Sequence, residues 1–166
     1  MTDFGAMSAV QIRPARVEEC GRLTAIAHAA KRHWSYPEEW IALWRDDLTY
    51  TAARFESETI LIAELDGEVA GFAAIKREGD DAELEGLWVD PARMGRGVGR
   101  ALLAAALDAA RAVGAGDMII VADPNAVGFY EGAGARQVGW AESRPAGRQL
   151  PRMILRVAPP RGRNPA

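Results

Sequence analysis

Met94, Gly95, Arg96, Gly97, Val98 and Gly99 set three glycines at alternate positions around a cation, with Arg93 and Arg100 on either side. Without a Cβ, a glycine lets the main chain take positive φ and bring its amide N–H close to an anion that a side chain would screen. The segment follows an apolar alternating run that ends at Val89 and precedes a helical pattern that begins at Gly99. A strand-to-helix turn of this kind points several amides, and the positive end of a helix dipole, at one place. Arg93, Arg96 and Arg100 add three cations within eight residues, each able to make charge-assisted hydrogen bonds. A pyrophosphate suits this chemistry, although three glycines alone support a plain chain reversal about equally well. Two other phosphate motifs fit worse. A Walker loop ends in Gly-Lys-Ser/Thr, whereas Gly99 is followed by Arg100-Ala101. A dinucleotide fingerprint needs a third glycine where Arg100 or Leu102 stands.

The elements that must position this turn follow from residue periodicity. Residues 10–13 read as a first strand closed by Pro14. From Val17 through Ala30, apolar residues recur at three and four, the mark of an amphipathic helix. Pro37 opens a second helical stretch running to Leu48. Asp66-Gly67 between residues 59–65 and 68–76 predicts a tight hairpin. Residues 82–89 alternate as another strand, and Leu102, Leu103, Ala106, Leu107, Ala110 and Val113 form one face of a helix ending near Gly114. Residues 118–122 read as a buried strand, Asp123-Pro124 as the start of a short helix through Tyr130, and residues 135–140 and 152–157 as two last strands. The expected fold class is α/β, with a central, mostly antiparallel mixed sheet of six to seven strands flanked by about four helices. Residues 8–158 are expected to form a single domain, with 1–7 and 159–166 as disordered tails.

At 166 residues, 49% hydrophobic and 26% charged, the chain suits one globular domain. Cys20 is the only cysteine, so an intramolecular disulfide is excluded, and nothing suggests a zinc site or any other metal. No apolar run is long enough to span a bilayer and no signal segment is evident. The expectation is a cytoplasmic protein without membrane association. A net charge of −3 disfavours nucleic acid as a partner.

The residues Leu87-Trp88-Val89-Asp90-Pro91, followed by Met94 to Leu103, resemble motif A of the GNAT superfamily, whose core reads Arg/Gln-x-x-Gly-x-Gly/Ala. Asn125, Phe129-Tyr130-Glu131 and Gly134-Ala135 resemble its motif B. The element order also matches, so the resemblance spans nearly the whole chain from Val10 to Val157. One departure is Met94, which stands at the usual Arg/Gln position.

The resemblance implies a GNAT fold and an acetyl-CoA-dependent N-acetyltransferase that moves acetyl to an amine by direct attack in a ternary complex. Leu87, Trp88 and Val89 would lie along the pantetheine arm, and Met94, Gly95, Arg96, Gly97, Val98, Gly99 and Arg100 along the pyrophosphate. Asn125 and Phe129 would sit beside the coenzyme. Tyr130 would be the general acid, protonating the departing thiolate. For the base that deprotonates the amine, the candidates are Glu85 and then Glu83, read as sharing a strand face with Leu87 and Val89. Two exposed strand glutamates are about as good a reading of that pattern. Acceptor selection would fall to the first two helices and the loop between them, with His28, His33, Trp34 and Tyr36, alongside Lys31, and to the loop holding Arg148. Family members often form homodimers. The competing reading is a non-catalytic acyl-CoA-binding sensor or subunit with the same fold. Which amine is the acceptor is left open.

Overall fold

A computed structural model describes residues 9–157 of the chain; the expected tails, 1–7 and 159–166, lie outside the described residues. Seven strands form one sheet: β1 (Gln11–Pro14), β2 (Thr59–Leu65), β3 (Glu68–Glu78), β4 (Asp81–Val89), β5 (Asp117–Val121), β6 (Arg136–Glu142) and β7 (Gln149–Arg156). Their order is β1-β2-β3-β4-β5-β7-β6. Every neighbouring pair is antiparallel except β4 and β5. That exception is forced by the helix between them, since a parallel pair needs a crossover connection. The expected hairpin turns at Asp66-Gly67, both at positive φ (55° and 79°), as a type I′ turn requires.

Helices α1 (Cys20–Arg32), α2 (Glu38–Leu43) and α3 (Arg54–Ser57) precede β2; α4 (Val98–Ala112) joins β4 to β5, and α5 (Val127–Gly132) follows β5. The helix expected to run to Leu48 stops at Leu43, and the four-residue α3 carries no apolar periodicity long enough to announce itself. The two faces of the sheet bury separate cores. Val98, Leu102, Leu103, Ala106 and Ala110 of α4 pack with Ala73, Ile75, Leu84, Met118 and Ile120 on one face. Leu23, Ile26 and Ala27 of α1, with Ile41, Trp44, Leu48 and Tyr50, pack with Ile62, Phe72 and Ala74 on the other. The spacing of the α4 set at three and four residues is what lets one helical stripe cover the strands. No helix among the described residues is long and apolar enough to cross a membrane.

Candidate active site

The glycine-rich turn begins at Asp90, whose carboxylate accepts from Ala92 N at 3.0 Å and pairs with Arg93 Nη1 at 2.8 Å. Gly95 and Gly97 then take φ of +78° and +82°, and Gly97 is the N-cap of α4. A Cβ at either would meet nothing within 4 Å, so glycine is required there by backbone conformation and not by crowding. Gly99 differs from expectation. It lies inside α4 without positive φ, and a Cβ there would stand 3.5 Å from the Phe129 ring, an ordinary contact.

After the turn, the first backbone hydrogen bond runs from Ala101 N to Gly97 O at 3.1 Å, and the amides of residues 95–100 donate to no acceptor among the described residues. These are the open donors of a helix N-terminus, extended by two glycine-enabled residues before it. The arginines divide. Arg93 is held by Asp90 and Glu68, Arg96 reaches Asp66 at 3.4 Å on the surface, and Arg100 forms no ion pair among the described residues. A groove runs along the turn, lined by Leu87, Val89, Met94, Val98, Arg100, Asn125 and Phe129.

The groove leads to a gap in the sheet. β4 and β5 pair only at Ala82↔Met118 and Glu83↔Ile119, then part. The gap is lined by Lys31 and Trp34 from the α1 side, Glu85 to Val89 from β4, Val121 and Asp123 from the end of β5, and Tyr130 from α5; Met94 and Trp34 also line the groove. A break in the sheet therefore opens one cleft to both faces.

The strand alternation expected for Glu83 and Glu85 is corrected by the register. Leu84 pairs with Ile75 and Gly86 with the adjacent Ala74, so Glu85 is an extra residue, a β-bulge, and the faces exchange across it. Leu84 packs on the α4 side, as do Leu87 and Val89, whereas Trp88 packs on the α1 side. Glu83 and Glu85 thus do not share a face with Leu87 and Val89. Their carboxylates meet instead, with that of Glu78, within 4.8 Å. They open on a recess lined by five carboxylates, from Asp46, Asp47, Glu83, Glu85 and Glu142, and by the cation of Arg54, that shares Leu84, Glu85, Val121 and Leu150 with the gap. Gly86 is fixed by crowding: a Cβ would lie 2.5 Å from Trp88 Nε1 and 2.7 Å from Tyr50 Oη, two buried polar atoms without a hydrogen-bond partner among the described residues.

Three groups in the gap, Glu85, Tyr130 and Asp123, have shifted acidity. Burial, with the charges of Glu83 and Glu58, raises the Glu85 carboxyl above its usual range, so it holds a proton more readily. Tyr130 is 7% exposed. Burial, and then the nearby Asp123 charge, push its hydroxyl well up, and it keeps its proton at neutral pH.

Asp123 ties the two sides of the gap together. It caps the 3-10 turn Pro124–Ala126 by accepting from Asn125 N at 2.9 Å, and also accepts from Asn125 Nδ2 at 2.9 Å, Lys31 Nζ at 2.9 Å and Tyr36 Oη at 2.9 Å. Burial opposes its charge, but the Lys31 ammonium and these donors hold its carboxyl below the usual range. Lys31, only 9% exposed, also stands over the Trp44 and Tyr36 rings at 4.5 Å and 5.0 Å. The Tyr36 hydroxyl gives its proton to Asp123 and accepts from Asn125 and Arg148 at 3.2 Å and 3.1 Å. Burial, then Asp123, push its pKa up to about 12. Of the cluster read from the sequence, Trp34 and Tyr36 reach this region. His33 is exposed and packs edge-on against Trp34 at 4.9 Å. His28 lines none of the three recesses described; burial, then Arg32 and Arg45, lower its pKa. The hub residue that sequence reasoning took only as a helix cap is Asp123.

A protein-family model described as "Acetyltransferase (GNAT) family" matches residues 23–135. The fold resembles that of a GCN5-related N-acetyltransferase from Rhodopseudomonas palustris, with a TM-score of 0.77 and 30% identity, covering 91% of this chain and 98% of that one. It also resembles an N-acetyltransferase from Thermoplasma acidophilum solved in complex with coenzyme A, at a TM-score of 0.66 and 21% identity, over 89% of this chain and 99% of that one. In sequence, 103 residues are 42% identical to a mycothiol acetyltransferase of Clavibacter michiganensis, covering 59% of this chain and 33% of that protein. The chain therefore spans about a third of the length of this curated relative. The chain belongs to the acetyltransferase (GNAT) family.

Proposed function

We propose that the protein is an acetyl-CoA-dependent N-acetyltransferase acting by direct attack of an amine on the thioester, without a covalent enzyme intermediate. The observation that carries this reading is the single cleft with open amides at residues 95–100 at one end and Tyr130 and Glu85 together in the sheet gap. The amides, the helix dipole and Arg100 bind the coenzyme pyrophosphate. Leu87 and Val89 supply the wall for the pantetheine arm, and their β4 backbone is free of β5 pairing beyond Glu83. Met94, apolar, contributes packing between groove and gap in place of a polar side chain.

Glu85, with its raised pKa, takes a proton from the incoming ammonium directly or through water, and Glu83 keeps that pKa raised. The neutral amine attacks the thioester carbonyl; the C–N bond forms, the C–S bond breaks, Tyr130 gives its proton to the departing thiolate, and the second proton shed by the nitrogen passes through water to restore the Tyr130 hydroxyl, leaving one proton on Glu85 for release to solvent. Asn125 is positioned by Asp123 and Tyr36 at the groove wall. Trp34 and Tyr36 are the acceptor-side residues, while His28 and His33 lie aside from the cleft. The reading includes cytoplasmic operation without a metal.

The test is purified protein with acetyl-CoA and a broad amine panel, followed by free-thiol release. Acceptor-dependent thiol release lost in Tyr130→Phe and Glu85→Gln supports the enzyme. Tight acetyl-CoA binding with no turnover on any amine would leave the sensor reading in its place.

A further inference from the structure

We infer that the amine acceptor is an amino acid, whose carboxylate is bound by Arg148; this rests on the reading of the cleft as an acetyltransferase site. The guanidinium is half-buried over three aromatic rings, 4.8 Å from the centre of Trp44, 5.1 Å from Tyr36 and 5.5 Å from Trp40. Guanidinium carries five N–H donors, yet its one hydrogen bond among the described residues is Nη2 to Tyr36 Oη at 3.1 Å. It pairs with no carboxylate there, unlike neighbouring Arg144, which reaches Asp47 at 3.1 Å. The three rings flank the guanidinium and leave most of its donors for a ligand, a supply that suits bidentate binding of a carboxylate.

Arg148 is also anchored from its backbone. Its N–H donates to Pro145 O at 3.1 Å, its carbonyl accepts from Ser143 N at 2.8 Å, and Trp44 Nε1 donates to Arg144 O at 2.9 Å. Through Tyr36 it is two hydrogen bonds from Asn125 on the groove wall, and Leu150, two residues on, lines the gap. Charge orients the guest. Lys31 and Arg148 lie around the single carboxylate of Asp123, whereas Glu83 and Glu85, with Asp46, Asp47, Glu142 and the cation of Arg54, line the recess that joins the gap at Glu85, Val121 and Leu150. An ammonium is drawn to the glutamates, and a carboxylate is repelled there and drawn to Arg148. A bare amine has the first anchor and lacks the second.

The experiment compares amino acids with their decarboxylated amines, such as lysine with cadaverine and tyrosine with tyramine, on the full chain saturated with coenzyme. Calorimetric Kd and kcat/KM for acetyl transfer are read for the native protein, Arg148→Met and Arg148→Lys. The expected result is a preference of about 10-fold or more for the amino acid of at least one pair, lost in Arg148→Met, partly restored in Arg148→Lys, with acetyl-CoA affinity unchanged. Equal or tighter binding of the amines, a preference that survives Arg148→Met, or no binding by any pair overturns the inference. Carboxylate-dependent binding without acetyl transfer supports it and refutes the transferase reading alone. Should Arg148→Met not fold, the native preference and its weakening in Arg148→Lys decide.

Discussion

Replacing Gly97 with valine tests whether the turn binds through its backbone. The native φ is +82°, a region costly for a β-branched residue, at about 1–3 kcal/mol. Since a Cβ there meets no protein atom within 4 Å, that strain is the whole structural penalty. For a chain of this length it lowers Tm by about 2–12 °C. The amides on either side must also move. Losing two charge-assisted hydrogen bonds at roughly 1.5–2 kcal/mol each weakens acetyl-CoA binding about 100- to 1000-fold. Gly114 supplies the control, because its φ is +79° and its Cβ space is equally empty, but it lies past the C-terminal end of α4, opposite the glycine turn. Gly114→Val carries a similar Tm loss with native affinity. Calorimetry and thermal melts on both variants separate strain from recognition. Native affinity in Gly97→Val, or an equal loss in Gly114→Val, refutes the backbone cradle.

Four further outcomes are expected. Tyr130→Phe lowers kcat about 100-fold or more with little change in acetyl-CoA affinity or Tm, since its hydroxyl makes no hydrogen bond among the described residues; steady-state kinetics and melts check this. Glu85 works as a base only when ionised, so the rate falls as pH drops through its raised pKa; Glu83→Gln removes a repelling charge and moves that acid limb to lower pH in a pH–rate profile. Lys31→Met strands the mostly buried Asp123 carboxylate and costs about 3 kcal/mol in denaturant unfolding. Because the folded pKa of Asp123 is depressed, its native stabilisation is present above the ordinary carboxyl pKa and is lost as pH falls through the depressed one; acid unfolding of Asp123→Asn should lack this component.

Much of the fold was legible because its signals are local. Asp66-Gly67 defines a hairpin by φ alone, and the α4 stripe defines a helix and its buried face. The glycine turn was legible for the same reason. Its charges were not: Arg93 looks available in sequence, but Glu68, 25 residues away, and Asp90 hold it. Asp123 reads as a cap, which it is, whereas its bonds to Lys31 and Tyr36 span 92 and 87 residues and leave no periodic trace. The two histidines were dense in sequence and scattered in space, since helical geometry turns neighbours to different sides. The bulge did leave a trace. Gly86 interrupts β4, and an isolated strand glycine marks a bulge or close approach; here it marks both.

That bulge makes β4 a strand with two parities. Toward α4 it presents even-numbered residues, Ala82 and Leu84, and then odd-numbered ones, Leu87 and Val89. Tolerance to polar substitution should therefore switch phase at Glu85, a pattern that no single hydrophobic period can describe. Deleting Glu85 would merge the phases into one continuous alternation, leaving Leu87 and Val89 on the groove wall and the indole of Trp88 on the opposite face, so the loss would fall on the carboxylate that the bulge presents and not on the groove.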